Sequence, residues 1–285
     1  MAVTYNELYL DARHRLREMG VEEDQLEARE LICFASGKDR QAFLRDRNLY
    51  TSQEIEERME ELMARRLAGE PVAYLIGEWE FFGIPLDITK DVLIPRPDTE
   101  VLAERGILAA QEVAESCRVL DLCCGSGCIG IAVAKYVTGC RVVLADYSDE
   151  ALRVARQNVR KNGFKGRISC TKADALGEPR KDFGTFNVIV SNPPYIRTGD
   201  MAGLDASVRD YEPHMALDGG EDGLDFYRNI TSRWKSLLRR NGKLLFEVGY
   251  DQARQVAALM EEAGFRDLSI HEDGNGILRV VEGVK

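Results

Sequence analysis

The stretch Asp121-Leu122-Cys123-Cys124-Gly125-Ser126-Gly127-Cys128-Ile129-Gly130 decides how this chain is read. It continues an apolar run, Arg118–Cys124, and opens a helical pattern, Gly127–Tyr136. Gly125, Gly127 and Gly130 spell G-x-G-x-x-G, and Asp146 closes the next apolar run. A strand, a glycine turn, a helix and an acid-ended second strand make up the nucleotide-binding arrangement. Glycines in such a turn let a ligand approach the backbone closely. Asp146 is placed to accept from ribose hydroxyls, a role common to NAD and S-adenosylmethionine sites. Asp121 tilts the choice. A carboxylate at the tip of the first strand repels a pyrophosphate but suits the cationic amino acid end of S-adenosylmethionine. Asp174 and Ala175 close the third strand, where such a pair can contact adenine. An NAD dehydrogenase remains the alternative, and for any single acid the bland role is a helix cap or a solvated loop carboxylate.

Outward from that loop the pattern alternates. Apolar strands are expected at Arg118–Cys124, Arg141–Asp146, Arg167–Asp174, Asn187–Asn192 and Gly242–Gly249. Helices fall at Gly127–Tyr136, Ser148–Asn162, Gly223–Arg239 and Gln252–Ala263, and two β segments close the chain at Asp267–Glu272 and Gly276–Val281. Such alternation predicts an α/β fold with a doubly wound, mostly parallel, seven-stranded Rossmann-like sheet.

Upstream lies a different texture. Leu8, Ala12, Leu16 and Met19 form one helical stripe ending at Gly20, and a second helix spans Glu23 to Ala35. Thr51 with Glu54 reads as a capping box for a third, carrying Ile55, Met59, Leu62, Met63 and Leu67 to a stop at Gly69 and Pro71. β-Branched and aromatic residues around Gly83 and Pro85 then suggest a hairpin, and a further helix runs from Asp98 to about Ala114. The expected division is a helical docking domain over 1–75, a β-hairpin linker over 76–97 and the α/β domain over 98–285.

Composition narrows the class. The chain has 285 residues, 45% hydrophobic and 30% charged, an ordinary globular balance that excludes disorder and low complexity. No run approaches the roughly 18 apolar residues of a membrane span, and no signal or transit peptide is visible. Seven scattered cysteines do not form a disulfide framework, so reduced thiols in the cytoplasm are expected. Cys123, Cys124 and Cys128 lack a second paired cluster, so they read as small packing residues and no metal is expected. A net charge of −10 argues mildly against a protein that grips duplex DNA.

The candidate catalytic segment is Ser191-Asn192-Pro193-Pro194-Tyr195, directly after the apolar Val188-Ile189-Val190. Two prolines remove two backbone donors and stiffen the chain. The Asn192 amide oxygen and the Pro193 carbonyl can then present two acceptors to one planar NH2 group, with Tyr195 as an aromatic face. Two acceptors orient a weakly nucleophilic nitrogen and favour the positive charge it gains on attacking a sulfonium methyl. Asn192 is no strong base, so proton loss follows methyl transfer. The bland role is a good loop after a strand.

The Asn192–Tyr195 motif with the glycine loop resembles class I S-adenosylmethionine-dependent methyltransferases acting on planar nitrogens. The flanks are more specific. Gly69–Gly77, Phe81-Phe82-Gly83, Leu93–Glu100, Tyr211-Glu212-Pro213 through Leu217, Gly219–Leu224 and Tyr227-Arg228 resemble the release-factor glutamine methyltransferases, the PrmC/HemK family. The resemblance runs essentially end to end. It implies methylation of the side-chain amide nitrogen of the glutamine in the Gly-Gly-Gln tip of peptide chain release factors. It also implies that the cofactor lies over Gly125–Gly127 with Asp146 on its ribose, flanked by Asp121, Cys123, Cys124, Ser126, Tyr147, Asp174, Ala175 and Asn192. Asn192, Pro193, Pro194 and Tyr195 would hold the target amide. One departure stands out. The family loop usually reads Asp-Leu-Gly-Thr-Gly-Ser-Gly, whereas Cys123 and Cys124 replace Gly-Thr here, removing a hydroxyl and adding oxidisable thiols.

Three rivals share some of these residues. A ribosomal-protein glutamine methyltransferase is the nearest. A nucleic-acid amino-group N-methyltransferase uses the same Asn-Pro-Pro-Tyr logic but needs a basic track. Two basic clusters exist, Arg153 to Arg167 and Arg228 to Lys243, read as solvated helix faces. A non-catalytic S-adenosylmethionine-binding module has no need for a nitrogen clamp. The expected partner is therefore a release factor, with no membrane, no direct nucleic-acid substrate and a monomeric enzyme.

Overall fold

Helical spacing of apolar residues builds the first part of the chain. The computed structural model describes residues 3–113 and 116–285. One unit comprises Met1–Glu78 with Ala206–Tyr211, the other Trp79–Asp205 with Glu212–Lys285. In the first, α1 (Tyr5–Glu18) starts on a full capping box made by Thr4 and Glu7, and α2 (Asp24–Ser36) ends at Gly37 with φ 67°. Two short helices, α3 (Arg40–Asp46) and α5 (Val72–Ile76), flank the long α4 (Gln53–Leu67). Leu16, Leu31, Ile32, Met59 and Met63 are buried between them.

The cap of α4 corrects the expectation at Thr51. Ser52 is the capping residue, its hydroxyl accepting from the Ile55 N–H, while the Thr51 hydroxyl donates to the Val3 carbonyl at 2.8 Å. Thr51 is occupied by the chain start, so the next hydroxyl along takes the cap. Sequence periodicity also missed α3 and α5. Both are too short to show a stripe, and each starts where a breaker residue, Asp39 or Pro71, turns the chain.

The second unit opens with a hairpin, β1 (Glu78–Phe81) and β2 (Ile84–Asp87). Phe82 and Gly83 form the two-residue turn, both at positive φ (53° and 66°), the conformation a right-twisted hairpin needs. α6 (Thr99–Gln111) follows, and its expected end near Ala114 lies outside the described residues. The chain then alternates through β3 (Arg118–Leu122), α7 (Cys128–Tyr136), β4 (Arg141–Asp146), α8 (Asp149–Lys161), β5 (Ile168–Lys172) and β6 (Phe186–Ser191). α9 (Ala206–Arg209) lies in the stretch that belongs to the first unit, where the Tyr211 hydroxyl donates to the Ala68 carbonyl at 3.2 Å. The second unit resumes with α10 (Asp225–Ser232), β7 (Leu238–Glu247), α11 (Ala253–Glu262), β8 (Arg266–Glu272) and β9 (Leu278–Val284).

The seven strands lie in the order β5-β4-β3-β6-β7-β9-β8, with only the β7–β9 and β9–β8 pairs antiparallel. This is the doubly wound, mostly parallel sheet expected from the alternation. One helix is shorter than its pattern suggested. The expected Gly223–Arg239 helix stops at Ser232, and β7 begins at Leu238. Trp234 and Leu237 between them are buried, and Trp234 packs edge-on against Phe183.

Chain direction through the sheet reverses between β3 and β6. In open sheets a ligand crevice forms outside the carboxyl ends of the strands at that switch point. The glycine loop leaves the end of β3, and Asn192 leaves the end of β6.

Candidate active site

A cavity of about 590 Å³ opens at this switch point, within the roughly 300–1,000 Å³ typical of small-molecule sites. It is lined by the glycine loop, by Asp146, Tyr147 and Ser148 after β4, by 173–176 after β5, and by Asn192 and Pro194 after β6. Segments 91–95, 213–220 and 225–226 complete the wall.

The glycine loop is shaped by its own backbone. Cys123, Gly125 and Gly127 all take positive φ (62°, 51° and 82°), so every second residue is left-handed. Space reinforces the choice of glycine at 127. A Cβ there would stand 2.8 Å from Leu144 Cδ1, and at Gly130 it would overlap Leu144 and crowd the Asp121 carboxylate at 3.0 Å. Asn158, fully buried in α8, donates to the Ser126 carbonyl at 3.0 Å while exchanging hydrogen bonds with Asp87 of the hairpin. The hairpin thus braces the loop.

The acids divide by role. Asp146 accepts from the Gly125 and Ser148 N–H groups (2.8 and 2.9 Å), leaving further lone pairs on a carboxylate that lines the cavity. Burial raises its pKa against those bonds. Asp174 accepts from the Leu176 N–H, and Asn229 holds the same turn through the Ala175 and Gly177 carbonyls. Asp121 is fully buried and does not line the cavity. One of its oxygens accepts from the Gly130 N–H at 2.8 Å, tying β3 to the first turn of α7. Its other oxygen has no partner among the described residues, and burial pushes the carboxyl up to about 7.

Charge decides which ligand this cavity fits. Asp91, Asp146, Asp174, Asp218 and Asp225 line it, with no Lys, Arg or His among the described lining residues, although Asp91 and Asp225 are ion-paired with Arg153 and Arg228. A pyrophosphate or nucleic-acid backbone would be repelled, whereas a cationic ligand is attracted. The orphaned Asp121 oxygen points to the same sign. The residues present therefore fit S-adenosylmethionine and not NAD. The loop thiols Cys123, Cys124 and Cys128 are pushed up by burial, which keeps them protonated and poorly reactive despite their position.

The loop after β6 is clamped on every side. The Ser191 hydroxyl donates to the Leu122 carbonyl at 2.7 Å, joining the two central strands. Asn192 Nδ2 donates to Thr99 Oγ1 at 3.4 Å, so the amide oxygen is turned away from Thr99. Gln252, 2% exposed, donates to the Tyr195 and Gly223 carbonyls and accepts from the Gly249 N–H. Asn192 and Pro194 line the cavity; Pro193 and the half-buried Tyr195 stand outside its lining. Arg96 pairs with the buried Glu212, which also accepts from the Ile94 N–H. That pair joins two cavity-wall segments that are far apart in the chain. Thr99, Gln252, Asn229 and Glu247 escaped the sequence reading, since each is a lone polar residue whose neighbours come from other strands.

Arg153 pairs with Asp91, Lys161 with Asp87, Arg228 with Asp222, and Lys243 with Glu112 and Glu282. Part of each basic cluster is thus neutralised. No helix among the described residues is long and apolar enough to cross a membrane.

Residues 7–77 match the PrmC N-terminal domain family and residues 99–207 the methyltransferase small domain family. The release factor glutamine methyltransferase of Geobacter sulfurreducens is 41% identical over 276 residues, 95% of this chain and 93% of its own length. That of Clostridium acetobutylicum is 36% identical over 255 residues, 90% and 89% of the two chains. A methyltransferase from Pyrococcus furiosus shares the fold, with a TM-score of 0.52 at 17% identity over 79% of this chain and 98% of its own. A Rossmann-like sheet with an acid-lined cavity at its switch point and a strand-end Asn-Pro-Pro-Tyr defines a methyltransferase acting on nitrogen. Within that class, the chain belongs to the release factor glutamine methyltransferase family.

Proposed function

We propose that this chain transfers a methyl group from S-adenosylmethionine to the side-chain amide nitrogen of the glutamine in the Gly-Gly-Gln motif of peptide chain release factors, in the cytoplasm. The observation that carries the proposal is the fixed Asn192 amide, set beside an acid-lined cavity at the end of β6. When bound, S-adenosylmethionine supplies an electrophilic methyl on a sulfonium centre.

The residues of the chain do the rest. Asp146 would accept from the ribose hydroxyls of the bound donor, and Asp174 with Ala175 would meet its adenine. The acids that line the cavity favour the positive charge. Asn192 Oδ1 and the Pro193 carbonyl accept from the two N–H groups of the glutamine amide, so its lone pair is held in one direction. Those acceptors also stabilise the charge that the nitrogen gains as the new N–C bond forms and the sulfonium S–C bond breaks, its electron pair returning to sulfur. The extra proton then passes to water, restoring a neutral N-methyl amide. The helical unit, matched as the PrmC N-terminal domain, serves in release-factor docking.

Labelled methyl transfer from S-adenosylmethionine tests this. Purified release factor should take up label, and a release factor whose Gly-Gly-Gln glutamine is alanine should not. Label retained on that variant, or found on RNA, DNA or a ribosomal protein in its place, sinks the proposal. Asn192→Ala should lower kcat by about 100-fold or more while donor affinity stays within about threefold. Normal turnover in that variant would refute the role of the amide.

A further inference from the structure

We infer that Glu247 is a positioning residue for the transfer, acting through Thr99 and the Asn192 amide to fix which end of that amide meets the substrate. The inference rests on the proposed amide methylation and adds a residue to it. Its basis is a register. Ser191 of β6 lies opposite Phe246 of β7, so Asn192 and Glu247 are the next positions on neighbouring strands. Glu247 is 2% exposed, and one of its carboxylate oxygens has no hydrogen-bond partner among the described residues. Thr99 and Asn192 present their polar side chains to the carboxylate, and Asn192 Nδ2 donates to Thr99.

This arrangement selects one orientation of the amide. An ionised carboxylate only accepts, so it draws the Asn192 NH2 inward and leaves Oδ1 for the substrate. The flipped amide would set its own oxygen against the carboxylate and offer donors to a substrate that is itself a donor. Both ends of the amide would then be mismatched.

The other groups facing Glu247 do not satisfy it. Asp98 and Arg279 bear on it electrostatically, but Arg279 is already paired with Asp98 and Asp273. Tyr195 and Tyr227 are near enough to feel its charge, as is Cys128, yet the Tyr227 hydroxyl donates to the Glu247 main-chain carbonyl. Burial pushes the carboxyl up to about 7. Between the ordinary carboxylate range and that value the folded chain holds a proton that the unfolded chain has lost. Stability due to the neutral form is therefore lost as pH rises through this window. A buried acid that weakens the fold at neutral pH and sits beside the substrate clamp is retained for the clamp.

The test uses the full chain with release factor and saturating S-adenosylmethionine. Glu247→Leu should lower kcat by about tenfold or more while both KM values stay within about threefold. Glu247→Gln should lower kcat less and abolish the fall in wild-type kcat as pH drops through about 7. Its thermal midpoint at pH 8 should be unchanged or higher. Thr99→Val should reproduce the kcat loss, and Thr99→Ser should restore it, should the Leu variant fail to fold. Turnover within about twofold of wild type in both Glu247→Gln and Thr99→Val, or a kcat loss that tracks lost thermal stability, overturns the inference. A wild-type protein that labels no release factor overturns only the substrate proposal, and the variants are then read on whichever RNA, DNA or ribosomal protein it does label.

Discussion

Cys123 sits at φ 62°, a left-handed conformation that costs a residue with a Cβ about 1–2 kcal/mol. The departure from the usual family loop is thus a backbone matter as well as a chemical one. Cys123→Gly should therefore raise unfolding free energy by up to about 1 kcal/mol, the strain removed less the extra entropy glycine loses on folding. Denaturant unfolding measures it, and a clear loss of stability would show that the thiol contributes packing that outweighs the strain. At this scale the sequence was legible where chemistry is local. Asp146, Asp174, Ala175 and Asn192 were read from their strand ends, and all line the cavity. Glu247 was not, because Leu244-Leu245-Phe246-Glu247-Val248 looks like any buried strand until β7 is known to lie beside β6. Asp121 was read as facing the cofactor, yet half of its carboxylate holds the loop to α7.

Among the elements, the loop after β6 is held less by itself than by the segment 217–223. The Gly219 N–H donates to the Ile196 carbonyl at 2.8 Å, and the Ile196 N–H donates to the Leu217 carbonyl at 3.0 Å. A Cβ on Gly219 would lie 2.7 Å from Tyr195 Cα and 2.8 Å from the Pro194 carbonyl oxygen. Gly219→Ala must then push the Pro-Pro-Tyr backbone aside, at a cost of about 1–3 kcal/mol. Turnover should fall while the circular dichroism spectrum stays native; full activity would show that this loop yields without consequence. The alternation of strands and helices was readable because β3, β4, β6 and β7 carry apolar runs and helices such as α8 and α11 are amphipathic. The strand order was not, since pairing across the sheet leaves no local mark. The cap of α4 was misplaced by one residue for a related reason: two hydroxyls stood side by side, and only tertiary contact with Val3 decided between them.

Over the whole molecule, the net charge of −10 is informative chiefly through where it falls. The acids that matter line one cavity, and many of the Arg and Lys residues on the same unit are paired. The family models divide the chain near residues 77 and 99, and contact within the fold divides it between Glu78 and Trp79. Contact also assigns Ala206–Tyr211 to the helical unit, anchored by the Tyr211 hydroxyl on Ala68. A fragment of residues 1–78 should therefore melt lower than the same fragment carrying 206–211 on a Gly/Ser linker. Equal melting temperatures would mean that the segment adds nothing to that unit.

The same segment sets an order of events during synthesis. The helical unit emerges from the ribosome before the α/β unit but cannot be complete until residue 211 follows it. At roughly 5–20 residues per second, that is on the order of ten seconds later. By then β3 to β6 have also emerged, so for that interval the helical unit lacks the segment that completes it.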